Sequence, residues 1–466
     1  MSRLAVFEKS AIPKVDFKTD VMRKVYVAGA ARLPFAAVDQ VGAANFKNYL
    51  RKKLIASGKH SKEEIPRMVE EMASAAKQFL EETRGFEEMT GLTIKAEYPP
   101  NEGSFAKIPA MTLVLIMLEA LFGHFGVDPE RVDVFRLGSV IVPKIDESWV
   151  HAAAKVIALK AGMNRAHTFT EDKACSSGLM AVGLAYDAIA CHGADIAVAS
   201  GIDKMSGVPD RLVRLGLTNP FDGKLMAGLA DEVAQEFGLT REELDNYAFE
   251  SRERANAYQG KHRFIVPVKV SDKLAVSRDE EVDAHPVTRK LLARLPAYPQ
   301  SEDESAPRCK LVTAGNSAAY ADGGGVVILA SKKGLKTLKL NALAEVLSFS
   351  EASGATPKNF ILKPEEAIAE CLTKAGLDWK DIGHFEVNEA FAVGNVLLMK
   401  WRGIERERMN RYGGAIAHGH AIGGTGASLV VKQIDQMEAE KIKYAAVAVC
   451  NAVDEATALL LKNPRA

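Results

Sequence analysis

The chain has 466 residues, 47% of them hydrophobic, enough for two or three domains with large apolar cores. Lys+Arg and Asp+Glu both number 60, so no net charge points to nucleic acid or to an anionic membrane surface. Five cysteines, Cys175, Cys191, Cys309, Cys371 and Cys450, are odd in number, widely spaced and form no CxxC pair, which argues against a disulfide framework or a zinc site and for a reducing compartment.

Residues 1–23 read as an N-terminal extension. Glu8, Asp16 and Asp20 suit neither a signal peptide nor an acid-poor transit peptide. The longest apolar run, residues 111–122, is broken by Glu119 and is too short to span a bilayer. The last residues, Asn463 to Ala466, carry no recognisable address. A cytoplasmic protein without a membrane span is expected.

Short apolar runs at 25–29, 132–142, 195–200, 326–330, 338–346, 385–387, 445–450 and 457–461 alternate with helical stretches. They predict an α/β fold with sheets covered on both faces. The two ends of the chain resemble each other. Residues 126–135 and 376–385 each give a helix end at glycine, an acidic turn and a strand; 175–200 and 423–450 each give a small-residue turn, a long helix and a strand. Each half closes with an apolar strand, 326–330 or 457–461. A duplicated α/β unit follows, with one half at 24–202 and 313–332 and the other at 333–466. Residues 203–312 have no counterpart and read as a loop domain carrying a binding surface. A further insertion at about 46–108 contains Ile65, Met68, Val69, Met72, Ala76, Phe79 and Leu80 at helical spacing. This amphipathic helix is read as packing on its own domain, or else as a lid or partner surface.

Four segments could carry chemistry. Cys175 is surrounded by small residues and precedes a helical pattern through Leu179, Val182 and Ile189, so it stands at a helix N-terminus, where N–H groups and the dipole favour a thiolate. In isolation such a cysteine is more often a buried small hydrophobe. Residues 413–426 (GGAIAHGHAIGGTG) are too glycine-rich for regular structure and must form a loop in close contact with another surface. His420, framed by glycines ahead of the next helix, is the candidate there; His418 reads as structural, and the rival HxH metal site lacks a third ligand. Asn388 and Glu389 follow a strand, where α/β folds place active sites, but an Asn-Glu pair could equally cap the next helix. Cys450, Asn451 and Ala452 stand at the end of the strand 445–449, where Cys450 in isolation is more often a buried cysteine.

Taken together, the four segments resemble the thiolase family, which has a C-[AS]-S-G segment, an N-E-A-F segment, a G-G-A-I-A-x-G-H-P-x-G-x-[ST]-G segment and a late C-x-G, in that order. The resemblance covers about residues 24–35 and 108–463, with supporting matches at 28–35, 312–317 and 322–324. It implies a thiolase-like duplicated unit in α-β-α-β-α layers and a coenzyme A-dependent acyltransferase of fatty-acid metabolism. Such an enzyme cleaves 3-ketoacyl-CoA or condenses acetyl-CoA with acyl-CoA, holds no permanent cofactor or metal, and assembles as a homodimer or homotetramer. Carried over by position, Cys175 resembles the acyl-accepting nucleophile, His420 its activating base and Cys450 the base at the substrate α-carbon. Asn388 with His420 resembles one oxyanion hole, and the N–H groups of Cys175 and Ala452 the other. Leu217, Met226, Ala314, Ser317 and Phe391 match positions around the pantetheine. Departures are Ala421 for the proline after the histidine, Leu225 for a histidine, Ala318 for a serine, and Asn451-Ala452-Val453-Asp454 for a glycine-rich run. A decarboxylating ketoacyl synthase, a synthase using Glu389 as base, and a catalytically idle acyl-CoA-binding protein are the competing readings.

Overall fold

The structure, a computed structural model, describes residues 22–39, 46–57, 61–74, 102–142, 151–208, 213, 216–272, 274–284, 287–301 and 307–466. The extension at 1–23, apart from its last two residues, and the predicted helical positions Ala76, Phe79 and Leu80 lie outside these.

The main sheet path joins β1 (Val25–Arg32), β2 (Val134–Gly138), β3 (His167–Glu171), β4 (Ile196–Asp203), β5 (Ala321–Ser331), β6 (Ala344–Ser353), β7 (His384–Val387), β8 (Tyr444–Asn451) and β9 (Glu455–Lys462). Their spatial order is β7-β8-β9-β6-β1-β5-β4-β2-β3. The path is symmetric about β1 and β6, which meet antiparallel with Val25 opposite Val346. Outward from this seam, β1-β5-β4-β2 and β6-β9-β8-β7 repeat the same pattern of antiparallel, antiparallel, then parallel neighbours. β3 extends the first half in parallel with β2; the second half has only the bridge between Phe385 and Met409 there.

The helices that frame the site are α1 (Ala110–Phe125), α2 (Ser177–Ala190), α3 (Met226–Glu236), α4 (Arg241–Tyr258), α5 (Lys363–Ala375), α6 (Ala392–Arg402) and α7 (Ile422–Ala439). The repeat extends to the caps. α1 ends at Gly126 (φ 63°) and α5 at Gly376 (φ 65°), each left-handed, and each is followed by a 3-10 turn and then β2 or β7. Alternation along the strands sorts them into layers. Val327, Leu329, Val447 and Val449 face α2 and α7 in the middle. Val326 and Ile328 face α1, while Ala446, Ala448 and Cys450 face the side of α5 and α6. The result is the expected α-β-α-β-α stack.

Two elements differ from the sequence reading. Residues 338–346 are not one strand: Lys332–Leu338 is a helix that Ser331 caps by accepting from the Gly334 N–H (3.0 Å), and β6 starts only at Ala344. Leu338 and Leu340, two apart, imitate a strand period but pack into the outer core. β3 escaped notice because only Glu171 of its five residues is buried, so it carries no apolar run. Between β4 and β5 lie α3, α4 and two short antiparallel pairs, Val268–Ser271 with Leu274–Val276 and Ala297–Pro299 with Arg308–Thr313. In the other insertion, helix Phe46–Ser57 and the helix at 64–74 bury Leu50, Ile65, Val69 and Ala73 against each other, whereas Met72, expected on that face, is 44% exposed.

α2 and α7 cross at their N-terminal ends with backbone against backbone. A Cβ on Gly178 would stand 2.6 Å from the Gly423 carbonyl oxygen, and one on Gly426 would stand 2.5 Å from the Leu179 nitrogen. Neither neighbour is a side chain that could turn aside. Gly426→Ala should therefore push the helices apart and destabilise the fold by about 1–3 kcal/mol. The midpoint of denaturant unfolding measures this, and an unchanged midpoint would show that the crossing tolerates a methyl group.

Candidate active site

The crossing determines what meets in the middle. Cys175 immediately precedes Ser176, the N-cap of α2, and His420 lies just before Ala421, the N-cap of α7. The turn that presents Cys175 is held closely. Ala174 sits in the left-handed region (φ 46°), a conformation that a non-glycine residue adopts only when its surroundings impose it. The Lys173 N–H donates to Ser177 Oγ (2.8 Å), which in turn donates to the Ala174 carbonyl (2.7 Å). Ser176 Oγ donates to the Val449 carbonyl on β8 (3.0 Å), tying the nucleophile turn to the strand that ends in Cys450.

His420 Nδ1 lies 2.7 Å from Thr425 Oγ1, and Thr425 Oγ1 donates to the Ala421 carbonyl (2.9 Å). With its one proton committed, the threonine accepts from Nδ1–H. This assignment, made from the hydrogen-bond network, leaves the Nε2 lone pair as the free end of the ring. Nε2 is buried and has no hydrogen-bond partner among the described residues. Thr425 was quoted within the sequence motif but given no role; its spacing of five from His420 across a helix N-terminus was the available signal.

Cys175, His420, Cys450 and Ala452 line one cleft of about 970 Å³, counting its open mouth. Leu217, Met226, Ser317 and Phe391 line it as well, whereas Ala314 is exposed and is not among its lining residues. The walls are otherwise largely apolar, with Met205, Leu225, Tyr298 and Phe360 added to those the motifs named. Asn388 lies elsewhere, in a smaller pocket with Trp401 and Leu398 that reaches the first cleft only at Cys450. Its carboxamide is buried, and neither Oδ1 nor Nδ2 has a protein partner.

Neighbouring polar residues are committed elsewhere. Glu389 accepts from Tyr247 Oη (2.8 Å), Ser251 Oγ (2.7 Å), Asn410 Nδ2 (2.8 Å) and the Ile416 N–H (3.2 Å), so it braces the glycine-rich loop against α4 and is not presented as a base. His418 contacts Asp279 (3.2 Å), itself paired with Arg32, and its Nε2 lies 3.1 Å from the Tyr412 carbonyl. The two histidines of the loop thus make separate contacts.

Electrostatics differ from the expectation of a thiolate. Burial pushes the Cys175 thiol far above its ordinary range, and nearby Cys450 and Asp203 would raise it further. Burial likewise pushes Cys450 up to about 12 and lowers His420 to about 4. The N-terminal dipole of α2 does not offset this burial. Both thiols are thus biased toward the protonated form and the imidazole toward the neutral one. An arrangement of a thiol, a neutral histidine base and a second thiol in an apolar cleft is suited to acyl transfer through a cysteine thioester.

Comparison with known proteins agrees. The models for the thiolase N-terminal domain match residues 94–215 and 208–333, and that for the thiolase C-terminal domain matches residues 340–463. The chain is similar to acetyl-CoA acetyltransferase 1 of Arabidopsis thaliana, 32% identical over 77% of this chain and 90% of the relative. It is also 31% identical to an acetyl-CoA acetyltransferase of Allochromatium vinosum, over 77% of this chain and 95% of that one. Among solved structures it resembles human mitochondrial 3-ketoacyl-CoA thiolase in fold, with a TM-score of 0.75 at 24% identity, covering 95% of this chain and all of the other. The chain belongs to the thiolase family and is a coenzyme A-dependent acyltransferase.

Because the Cys175 thiol is raised, its alkylation by iodoacetamide in the ligand-free enzyme should keep accelerating as pH rises from 7 to 10, without the plateau of a low-pKa thiol. Because His420 is lowered, protonation of the imidazole should become limiting only near pH 4. A labelling rate that levels off below pH 8 would contradict this.

Proposed function

We propose that the cleft carries out reversible thiolytic cleavage of 3-ketoacyl-CoA, or in reverse the condensation of acetyl-CoA with an acyl-CoA, through an acyl-enzyme on Cys175. The observation that carries the proposal is the convergence of Cys175, the free Nε2 side of His420 and Cys450 on one apolar cleft. Cys175 Sγ attacks the acyl carbonyl while its proton passes to His420 Nε2; the C–S bond to coenzyme A breaks, and the leaving thiolate takes that proton. Cys450 then passes its thiol proton to His420 Nε2 and, as a thiolate, removes an α-proton from a second acyl-CoA; the enolate attacks the Cys175 thioester, the carbon–carbon bond forms as the C–S bond to Cys175 breaks, and the Cys175 thiolate takes the proton back from His420. Thiolysis is the reverse. The N–H groups of Cys175 and Ala452 receive one developing oxyanion. Asn388, acting through a water together with His420, serves the other, and the lack of a protein partner for its carboxamide supports that role. Leu217, Met226, Ser317 and Phe391 flank the pantetheine; Ala314, being exposed, contributes at most near the cleft mouth. Residues 203–312 act as the loop domain that carries much of this wall, between halves at 24–202 with 313–332 and at 333–466.

Cysteine chemistry without disulfides fits a cytoplasmic setting, and all five cysteines are free thiols. Among the described residues no helix is long and apolar enough to cross a membrane. We also infer a homodimer formed through the outer edge of β3. The support is that β3 ends the sheet path, that Phe169 on it is 56% exposed, and that Glu171 is buried with neither carboxylate oxygen hydrogen-bonded. Phe169→Asp should shift the protein to monomer in sedimentation. If the variant sediments like the wild type, the dimer uses another face.

Mass spectrometry after mixing with acetyl-CoA should find the acetyl group on Cys175, and Cys175→Ala should remain unlabelled. Cys450→Ser should spare acetyl exchange between coenzyme A species yet slow cleavage of acetoacetyl-CoA by on the order of 10²-fold, since a hydroxyl is a far poorer acid–base group near neutral pH. Equal loss of both rates would make Cys450 part of the nucleophile's own machinery. Loss of neither would restore the ketoacyl synthase reading.

A further inference from the structure

The strand β8 ends at Asn451 and β9 begins at Glu455, with these two residues paired, so Ala452, Val453 and Asp454 form a three-residue hairpin loop directly after Cys450. The third loop residue of such a turn adopts the left-handed conformation, which glycine fills without strain. Here it is Asp454, at φ 64°. A non-glycine residue there costs on the order of 1 kcal/mol, so something must hold it.

That something is visible. Asp454 is 1% exposed, and its side chain points into the protein. Its Oδ2 accepts from the Thr356 N–H (2.8 Å), and its carbonyl accepts from the Gly354 N–H (2.9 Å). Its other oxygen, Oδ1, has no hydrogen bond but lies 3.9 Å from Nζ of the buried Lys363, the first residue of α5. Lys363 Nζ donates to both oxygens of Glu366 (2.7 and 3.0 Å). A Cβ on Gly354 would fall 2.1 Å from Asp454 Oδ2, so the segment that receives the carboxylate is itself shaped around it. The same segment leads through Pro357–Leu362 and so to Phe360 in the cleft wall.

The hairpin is fastened on its other side too. Asn451 Nδ2 donates to Glu455 Oε2 (3.0 Å) and reaches the Lys173 carbonyl (3.4 Å) in the nucleophile turn, and the Val453 N–H donates to Asn451 Oδ1 (3.3 Å). Cys450 and Ala452, which line the cleft, are thus suspended between the Cys175 turn and the Asp454 anchor, while Asp454 itself is absent from the cleft lining.

We propose that Asp454 is a positioning residue: its carboxylate, held by the Thr356 N–H beside Lys363, fixes the Cys450 thiol and the Ala452 N–H against the Cys175 thioester. This rests on the reaction proposed above. The anchor takes the place of backbone freedom with a side-chain clamp, and a displacement near 1 Å at reacting groups is enough to cost up to about 10²-fold in rate.

The test uses the full-length protein and three variants. Asp454→Gly keeps the left-handed turn without strain but removes the clamp. Asp454→Asn keeps an acceptor for the Thr356 N–H in a residue that tolerates that conformation. Lys363→Met removes the charge partner. Acetylation of Cys175 by acetyl-CoA, read by mass spectrometry, is first established for the wild type; if it fails there, the reaction assignment is wrong and this role for Asp454 falls with it. Given acetylation, Asp454→Gly should lower kcat for acetoacetyl-CoA cleavage by about tenfold or more with KM changed less than threefold. Asp454→Asn should recover most of kcat, and Lys363→Met should fall between the two. A merely structural role would lower the unfolding midpoint and leave kcat of the folded fraction intact. Wild-type kcat in folded Asp454→Gly, or a loss that Asp454→Asn does not recover, overturns the proposal.

Discussion

The site exists because two helix N-termini can touch. α2 and α7 occupy equivalent places in the two halves, and their approach at Gly178 and Gly426 is too close for any Cβ. Everything catalytic follows from that contact. It brings the residue before the α2 N-cap and the residue before the α7 N-cap into one cleft, although they are 245 positions apart (420 − 175). Asp203, at the end of β4, reinforces the junction. It accepts from the Gly423 N–H at the start of α7 (2.8 Å) and from the N–H groups of Ile141 and Val142 after β2 (3.0 and 3.1 Å). The duplication thus produces two similar ends of two similar helices, and the fold places them face to face.

The symmetry is broken where the chemistry needs it. β4 ends in Asp203, whose carboxylate serves as a backbone clamp; its counterpart β8 ends in Cys450 and Asn451, one facing the cleft and the other stapling the hairpin. The insertion between β4 and β5 has no partner in the second half. It supplies α3 and α4, which contribute Met226 to the cleft and Tyr247 and Ser251 to the bracing of Glu389. One copy therefore furnishes Cys175 and much of the cleft wall, the other His420 and Cys450.

Legibility in the sequence followed how local each cause was. The repeat could be read because it is written in caps, with glycine at 126 and 376 and aspartate at 128 and 378. Cys175, His420 and Cys450 stood out because small residues and glycines around a reactive side chain leave few structural uses for it. β3 was illegible because an exposed edge strand carries no apolar signal, and 338–346 misled because two leucines mimic a period of two. The thiolate expectation is opposed for a non-local reason. A helix start is visible in sequence, but the burial that raises the Cys175 thiol against its dipole is a property of the assembled fold. Thr425 was within reach of its spacing from His420, whereas Asp454 acts through Thr356 and Lys363, about ninety to a hundred residues away, so no window of sequence could assign it.

That burial also sets the logic of the chemistry. Lowering a histidine from 6.5 to about 4 disfavours its charged form by on the order of 3 kcal/mol, and raising a thiol from 9 to about 12 disfavours the thiolate by on the order of 4 kcal/mol. Burial thus works against a preformed thiolate–imidazolium pair and favours charge that appears together with bond formation. For a thioester this is workable: the proton leaving Cys175 has a neutral Nε2 to receive it, and negative charge moves at once toward the acyl oxygen, where fixed N–H donors stabilise it strongly in a dry site. Charge that appears only with bond formation is stabilised only by donors that stand still, so the fastening of the Cys175 turn to β8 through Ser176, of the His420 ring to Thr425 and of the Cys450 hairpin to the Cys175 turn through Asn451 matters as much as the groups themselves.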